Sequence, residues 1–289
     1  MTDSPDLEQK DLRKKVVEEI RKTGFPLELR TAAHLRANRY YVAHSVYFID
    51  KDEQKGREID LRGLKNIAFK HDGLRYTVRH VLTIECKKSI SRPWVFFCSE
   101  PVSYDQDVND LQGRGFKDRW YRGGFRQWRA FERLHPWFSR DLRGRAFFEA
   151  FSSGIETNAT IIKALLGSVK ALLAIKESGF GGYTSKHQPN IGFYYPIVVL
   201  EGDLYAAKLV GGELIVEEID SVPVSLNYRS PSYPEEERFT VLVTKESAFP
   251  REIRALDDWQ KRVGAHLRKH PTVFDTTADD TARVGGQAG

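Results

Sequence analysis

The sequence predicts an α/β fold in which a central mixed β-sheet is flanked by helices. Two helical apolar patterns precede three strand-like runs. A long apolar helix then follows a basic stretch, and more strand-like runs come after it, which gives a core order of α-β-β-β-α-β. Size permits such a fold, since 289 residues with 40% hydrophobic and 12% aromatic content can bury a substantial core.

Residues 7–23 (LEQKDLRKKVVEEIRKT) place Leu12, Val16, Val17 and Ile20 at helical spacing, with Gly24 as a C-terminal stop. Pro26 opens PLELRTAAHLRAN, where Leu27, Leu29, Ala32, Ala33 and Leu35 suit a second helix with proline in its first turn and Glu28 at its N-terminal end. YYVAHSVYFID (40–50) and EIDLRGLKNIAF (58–69) are rich in β-branched and aromatic residues and read as two paired strands joined by the polar KDEQKGR. After the turn at His71-Asp72-Gly73 comes LRYTVRHVLTIECKK (74–88). Its alternation sets Val81, Thr83, Glu85 and Lys87 on one face and Leu82, Ile84 and Cys86 on the other. PWVFFCS (93–99) reads as a further short strand.

Residues 103–145 are basic, aromatic and punctuated by glycine without a clean period, and they read as short helices and loops. TNATIIKALLGSVKALLAIKES (157–178) is a long helix whose broad apolar face, including Ile161, Leu165, Val169 and Leu172, is expected to lie on the sheet. IGFYYPIVVLEG (191–202), LYAAKLVG (204–211), GELIVEEID (212–220) and FTVLVTK (239–245) read as four strands, and Ser247 to Lys269 as a closing helix. This organisation implies one domain over 1–270, with its core at 24–100 and 157–270, an insertion at 101–156, and a disordered tail over 271–289.

Composition narrows the chemistry. No run of about 18 apolar residues occurs and the N-terminal stretch is charged, so neither a membrane span nor a signal sequence is expected, and the location expected is cytoplasmic. Cys86 and Cys98 lie in apolar runs without metal-binding spacing and read as two buried thiols. The eight histidines form no metal-binding motif, so His34 and His44 read as packing or surface residues; the Gly-rich GFGGYTS lacks the lysine of a phosphate-binding loop. The formal charge of +5 is compatible with nucleic-acid binding, and much of it is local: ten basic residues stand against three acidic ones between Leu111 and Arg145.

The segments GFPLELRTAAHLRANRYYV, GREIDLRG and LTIECKKS resemble the PD-(D/E)XK nuclease superfamily, the restriction-endonuclease-like enzymes. The match is close over Gly24 to Ser89 and extends topologically to about residue 202. The resemblance implies a restriction-endonuclease-like core and a metal-dependent phosphodiesterase, with a DNA endonuclease the expected form. It implies catalytic roles for Glu28, Asp60, Glu85 and Lys87. Asp60, Glu85 and the Cys86 backbone carbonyl would bind Mg²⁺ or Mn²⁺ with help from Glu28, and Lys87 would orient the attacking water.

The chemistry itself asks for such a set. Phosphodiester hydrolysis needs a cation that neutralises phosphate charge and activates water, and Mg²⁺ takes hard oxygen ligands. Strand alternation puts Glu85 and Lys87 side by side, with Lys88 on the other face. The superfamily's proline before the aspartate is absent here, where Glu58-Ile59 precede Asp60, and the 25 residues from Asp60 to Glu85 make a long hairpin. Removal of Asp60 or Glu85 is expected to leave folding intact, because it relieves repulsion within a like-charge cluster.

In FKDRWYRGGFRQWRAFERLHPWF (116–138) arginines interleave with aromatics, a pattern suited to phosphate contacts and base stacking by Arg122, Arg126, Arg129 and Trp128, or to a subdomain with its own aromatic core. The partners implied are nucleic acid, DNA in the first place, and a homodimer mate or partner subunit. The rival function is a catalytically inactive nucleic-acid-binding protein that keeps the nuclease fold. A two-carboxylate glycoside hydrolase would need no Lys87 and would leave the basic stretch unexplained.

Overall fold

The apolar patterns of the strands and helices pack as helices on both faces of one eight-stranded sheet. The computed structural model describes residues 5–99, 135–137, 140, 142–151, 158–178, 190–234 and 237–269. Helices α1 (Pro5–Lys22) and α2 (Phe25–Ala37) lead into strands β1 (Tyr41–Asp50), β2 (Lys55–His71) and β3 (Leu74–Ser99). There follow β4 (Arg143–Glu149), α3 (Ala159–Glu177), β5 (Asn190–Val210), β6 (Glu213–Glu218), β7 (Ser221–Tyr228), β8 (Glu237–Lys245) and α4 (Phe249–Lys269). The strand order is β1-β2-β3-β4-β7-β8-β5-β6, with β5 also bonded to β3. The β3–β5, β5–β8 and β4–β7 pairs are parallel and the other neighbours antiparallel, so the sheet is mixed.

Each face has its own core. Leu27 and Leu35 of α2 and Phe249, Ile253, Leu256 and Trp259 of α4 pack on Leu61, Leu82, Ile84, Phe193 and Val199. On the other face Ile161, Leu165, Val169 and Leu172 of α3 pack on Val81, Val198, Leu200, Val222 and Val241. The stripe on α1 remains largely uncovered, with Leu12, Val16, Val17 and Ile20 all exposed, and on α2 the exposed Leu29 stands outside the buried set. The two-residue turn between β2 and β3 places Asp72 and Gly73 at φ +47° and +77°, which suits glycine at the second position.

Several boundaries depart from the sequence reading. PWVFFCS is the far end of β3, and IGFYYPIVVLEG and LYAAKLVG are one strand, β5. Pro93 and Gly202 sit at an irregularity where β3 takes five steps from Ser89 to Trp94 while β5 takes two from Gly202 to Leu204. The odd excess inverts the alternation, so Ile84 and Cys86 face α2 and α4, whereas Trp94, Phe96 and Cys98 face α3. Gly202 is required there, because a Cβ would lie 2.4 Å from the Ser89 carbonyl oxygen.

SVPVSLNY, which the sequence analysis assigns to no element, is β7 and carries Pro223. Its ladder is with β8, and on the β4 side it is joined by the single pair Gly144↔Val224, which leaves room for a residue without an N–H. β4, a strand of the sheet, begins at the end of the stretch read as short helices and loops and lies within the 101–156 insertion, and Trp137 of that stretch is buried in the core under α2 and α4. Among the described helices none is long and apolar enough to cross a membrane.

Candidate active site

Asp60 marks the point where β2 leaves β3. The β2–β3 ladder runs from His71↔Leu74 to Leu61↔Ile84 and ends there. On the other side of β2, the register with β1 passes from His44↔Leu61 to Val46↔Ile59 over Ser45, which is held at φ +46°. Beyond the split β3 continues along β5, with Glu85↔Val198 and Lys87↔Leu200, so a wedge opens between β2 and β3. The Asp60 side chain takes over from the ladder: the Cys86 backbone N–H donates to Asp60 Oδ2 at 2.7 Å.

Alternation on β3 then sorts the side chains. Cys86 is buried on the α2 side, its sulfur 3.9 Å from Thr31 Oγ1, and both Cys86 and Cys98 are buried free thiols. Glu85 and Lys87 are on the α3 side, where Lys87 Nζ donates to Glu85 Oε2 at 2.6 Å and lies 3.9 Å from Asp60 Oδ2. Glu28, half-buried in the first turn of α2, enters from the other layer, and its charge interacts with those of Asp60, Glu85 and Lys87. Two carboxylates and one ammonium therefore share the wedge, with the Glu28 carboxylate within reach of their charge.

Helix α3 closes it. Thr83 Oγ1 donates to the Ser168 carbonyl at 2.9 Å, and Gly167 lies against the Glu85 carboxylate so closely that a Cβ there would stand 2.8 Å from Oε1. Neither residue was singled out from sequence. A lone glycine inside the apolar helix ALLGSVKALL was the available signal, since it costs roughly 1 kcal/mol against alanine and marks a close approach.

Burial raises the Glu85 carboxyl above its ordinary value, and Asp60 and Glu28 add to the rise, while Lys87 opposes it. Burial likewise raises Glu28, with Asp60 adding and Lys87 opposing. For Lys87, burial by itself would lower the ammonium's pKa, but the Glu85 and Asp60 carboxylates outweigh it and the net shift is upward. Burial pushes the Cys86 thiol up, and the neighbouring carboxylates push it further, so it is a packed thiol and no nucleophile.

The neighbours of the site have other work. Lys88 points away, donating to the Arg21 carbonyl at 2.7 Å and lying 3.4 Å from Glu201 Oε1, and Arg30 of α2 holds Glu201 at 2.8 Å and Glu246. His44 is exposed, with Nε2 2.9 Å from Arg36 Nη2. Arg122, Arg126, Arg129 and Trp128 lie outside the described residues. Among the described residues, no group of three or more His, Cys, Asp and Glu side chains is spaced to hold a metal ion. No family model, curated protein or solved structure matches the chain.

Proposed function

We propose that the chain is a metal-dependent nuclease of the PD-(D/E)XK type, with a restriction-endonuclease-like core and DNA as its substrate. Glu28, Asp60, Glu85 and Lys87 form its active site. The observation that carries this reading is the meeting of Asp60, Glu85 and Lys87 where β2 leaves β3, against α3 and with Glu28 electrostatically coupled to them from the first turn of α2.

The donor set suits Mg²⁺ or Mn²⁺. All its side-chain donors are hard oxygens, and burial with mutual repulsion already raises Glu28 and Glu85, a condition that a divalent cation relieves. Held by Asp60, Glu85 and the Cys86 carbonyl with Glu28 in support, the cation would supply charge neutralisation at phosphate and a more acidic attacking water. Asp60 is oriented for this by the Cys86 N–H, and Glu85 by Gly167 and Lys87. The Lys87 ammonium stays protonated at neutral pH, so it acts as a fixed positive charge and hydrogen-bond donor to water or phosphate rather than as a free base.

A second reading, a nucleic-acid-binding protein without turnover, is favoured by the direct Lys87–Glu85 contact and by the lack of a metal-ready cluster among the described residues. Lys87→Ala and Lys88→Ala separate the two. Lys87→Ala should lower the rate of Mg²⁺-dependent cleavage by roughly 10²-fold or more, the range for a positioned electrostatic group, with little change in DNA affinity measured in Ca²⁺. Lys88→Ala, which loses contacts to Arg21 and Glu201 only, should cleave like the parent. Equal losses in both variants, or a parent that cleaves neither DNA nor RNA with Mg²⁺ or Mn²⁺ and any partner subunit supplied, would sink the nuclease reading.

A further inference from the structure

Helix α4 turns its apolar side, with Phe249, Ile253, Leu256, Trp259 and Val263, into the core and keeps a basic stripe outside. Its exposed positions carry six basic residues between Arg251 and Lys269 against one acidic residue, Asp258. Two of the six are neutralised. Arg251 lies 3.0 Å from Asp220 Oδ2, and Lys261 lies 2.8 Å from Asp257 and 3.1 Å from Asp258. Arg254, Arg262 and Lys269 pair with no carboxylate among the described residues, and Arg268 lies over the Phe69 ring at 5.9 Å. The helix dipole favours cations in the last turn, which accounts for Arg268 and Lys269 but not for Arg254 or Arg262. The flank of the stripe is crowded in the same sense: burial first, and then Lys261 and Arg39, hold the Lys65 ammonium below its ordinary value, with Asp258 opposing.

We propose that the outer face of α4 binds the phosphate backbone of nucleic acid outside the bond to be cut, an inference that rests on the nucleic-acid reading common to both functions above and not on turnover. Place favours it. Arg30, two residues after Glu28, is bound to Glu246 just before α4 begins, so the stripe starts beside the first turn of α2. From there α4 runs toward the β2–β3 turn, where Gly264 packs on Ile67 and Arg268 on Phe69. At 1.5 Å per residue the stripe from Arg254 to Lys269 is about 22 Å long, which matches about six or seven base pairs of duplex at 3.4 Å each. Chemistry favours the same partner. Three of the four basic residues without a carboxylate are arginines, whose planar forks suit phosphate oxygens, and the small exposed Ala265 between Arg262 and Arg268 lets a backbone come close. A membrane surface would require apolar side chains on the exposed side, and those of α4 are in the core.

The test is fluorescence anisotropy of a labelled DNA duplex of roughly 20 base pairs with the full chain in Ca²⁺, repeated over roughly 50–200 mM salt. Arg254→Gln, Arg262→Gln and Lys269→Gln together should lower the slope of log Kd against log salt concentration by about 2–3, because each lost phosphate contact removes about 0.9. At about 0.1 M salt the Kd should rise roughly tenfold to a hundredfold. Arg254→Lys with Arg262→Lys, which keeps both charges, should retain the parent slope, and Ala265→Glu, a change a helix tolerates, should weaken binding. Lys163→Gln, Lys208→Gln and Arg229→Gln together, matched in charge but outside α4, should bind like the parent. Circular dichroism checks that each variant folds. An unchanged slope in the α4 triple variant overturns the proposal, as does an equal loss in the matched triple or a parent that does not bind the duplex. Binding that depends on α4 in a protein that never cleaves leaves the proposal standing and rejects turnover alone.

Discussion

Gly167→Ala tests whether the position of Glu85 matters to chemistry, because it moves the carboxylate without removing it. Ordinary contact with a Cβ begins near 3.4 Å, and the one built on Gly167 falls 2.8 Å from Oε1, 3.2 Å from Cδ and 3.5 Å from Cγ. The carboxylate must therefore retreat by about 0.6 Å or swing away, since the helix backbone beside it is tied to Thr83 through Ser168. Glu85 has little room, with a side chain only 10% exposed and bound to Lys87 at 2.6 Å.

Catalysis should respond where stability does not. Alanine is worth roughly 1 kcal/mol more than glycine inside a helix, which offsets much of the local strain, so the melting temperature should stay near the parent's. A catalytic group misplaced by about 1 Å can cost about 10²-fold, so a shift of somewhat less should slow cleavage roughly tenfold to a hundredfold. Single-turnover cleavage with Mg²⁺, read beside thermal melting, measures both. Parent-level cleavage by a variant of unchanged stability would refute the reasoning, because Glu85 could then be displaced without consequence.

The split strand at Asp60 predicts different outcomes for two substitutions. Asp60→Ala leaves the Cys86 N–H without its acceptor, at a cost of about 1–3 kcal/mol that opposes the relief of repulsion expected from charge alone, while Asp60→Asn keeps an acceptor and should unfold in urea at or above the parent's midpoint. Both should fail to cleave; equal destabilisation by the two would mean that this hydrogen bond does not hold the wedge. Because burial, Asp60 and Glu28 raise the Glu85 carboxyl, the folded state binds its proton more tightly than the unfolded state does. The Glu85 contribution to stability is therefore best at acid pH and declines as pH rises from the ordinary 4.5 through the raised value. Glu85→Gln should flatten that decline in a plot of melting temperature against pH. In the metal-free protein the Glu85 carboxyl, followed by NMR titration, should show a midpoint above 4.5, and a midpoint at or below it would contradict the raised carboxyl.

Much of the candidate site was legible because its side-chain placement rests on local rules. A period of two is enough to put Glu85 and Lys87 on one face with Cys86 and Lys88 on the other, and Pro26 in the first turn is enough to open α2 with Glu28 at its N-terminal end. Asp72-Gly73 likewise declares the turn between β2 and β3. What alternation does not encode is where a ladder stops. The split at Asp60, with its side chain bonding the Cys86 N–H, arises where β2 ends its ladder with β3 while β3 stays paired along its other edge to β5, a partner more than a hundred residues away in the chain. The same long-range pairing joins 74–88 with 93–99 and 191–202 with 204–211 into single strands, and its odd excess of residues turns Trp94 and Phe96 toward α3. Side-chain identity and spacing thus determined which groups could meet on one face. Only the tertiary pairing decided that three of them would meet beside a glycine of α3, because hydrogen-bond partners and close approach between distant segments are properties of two chain segments together and of neither alone.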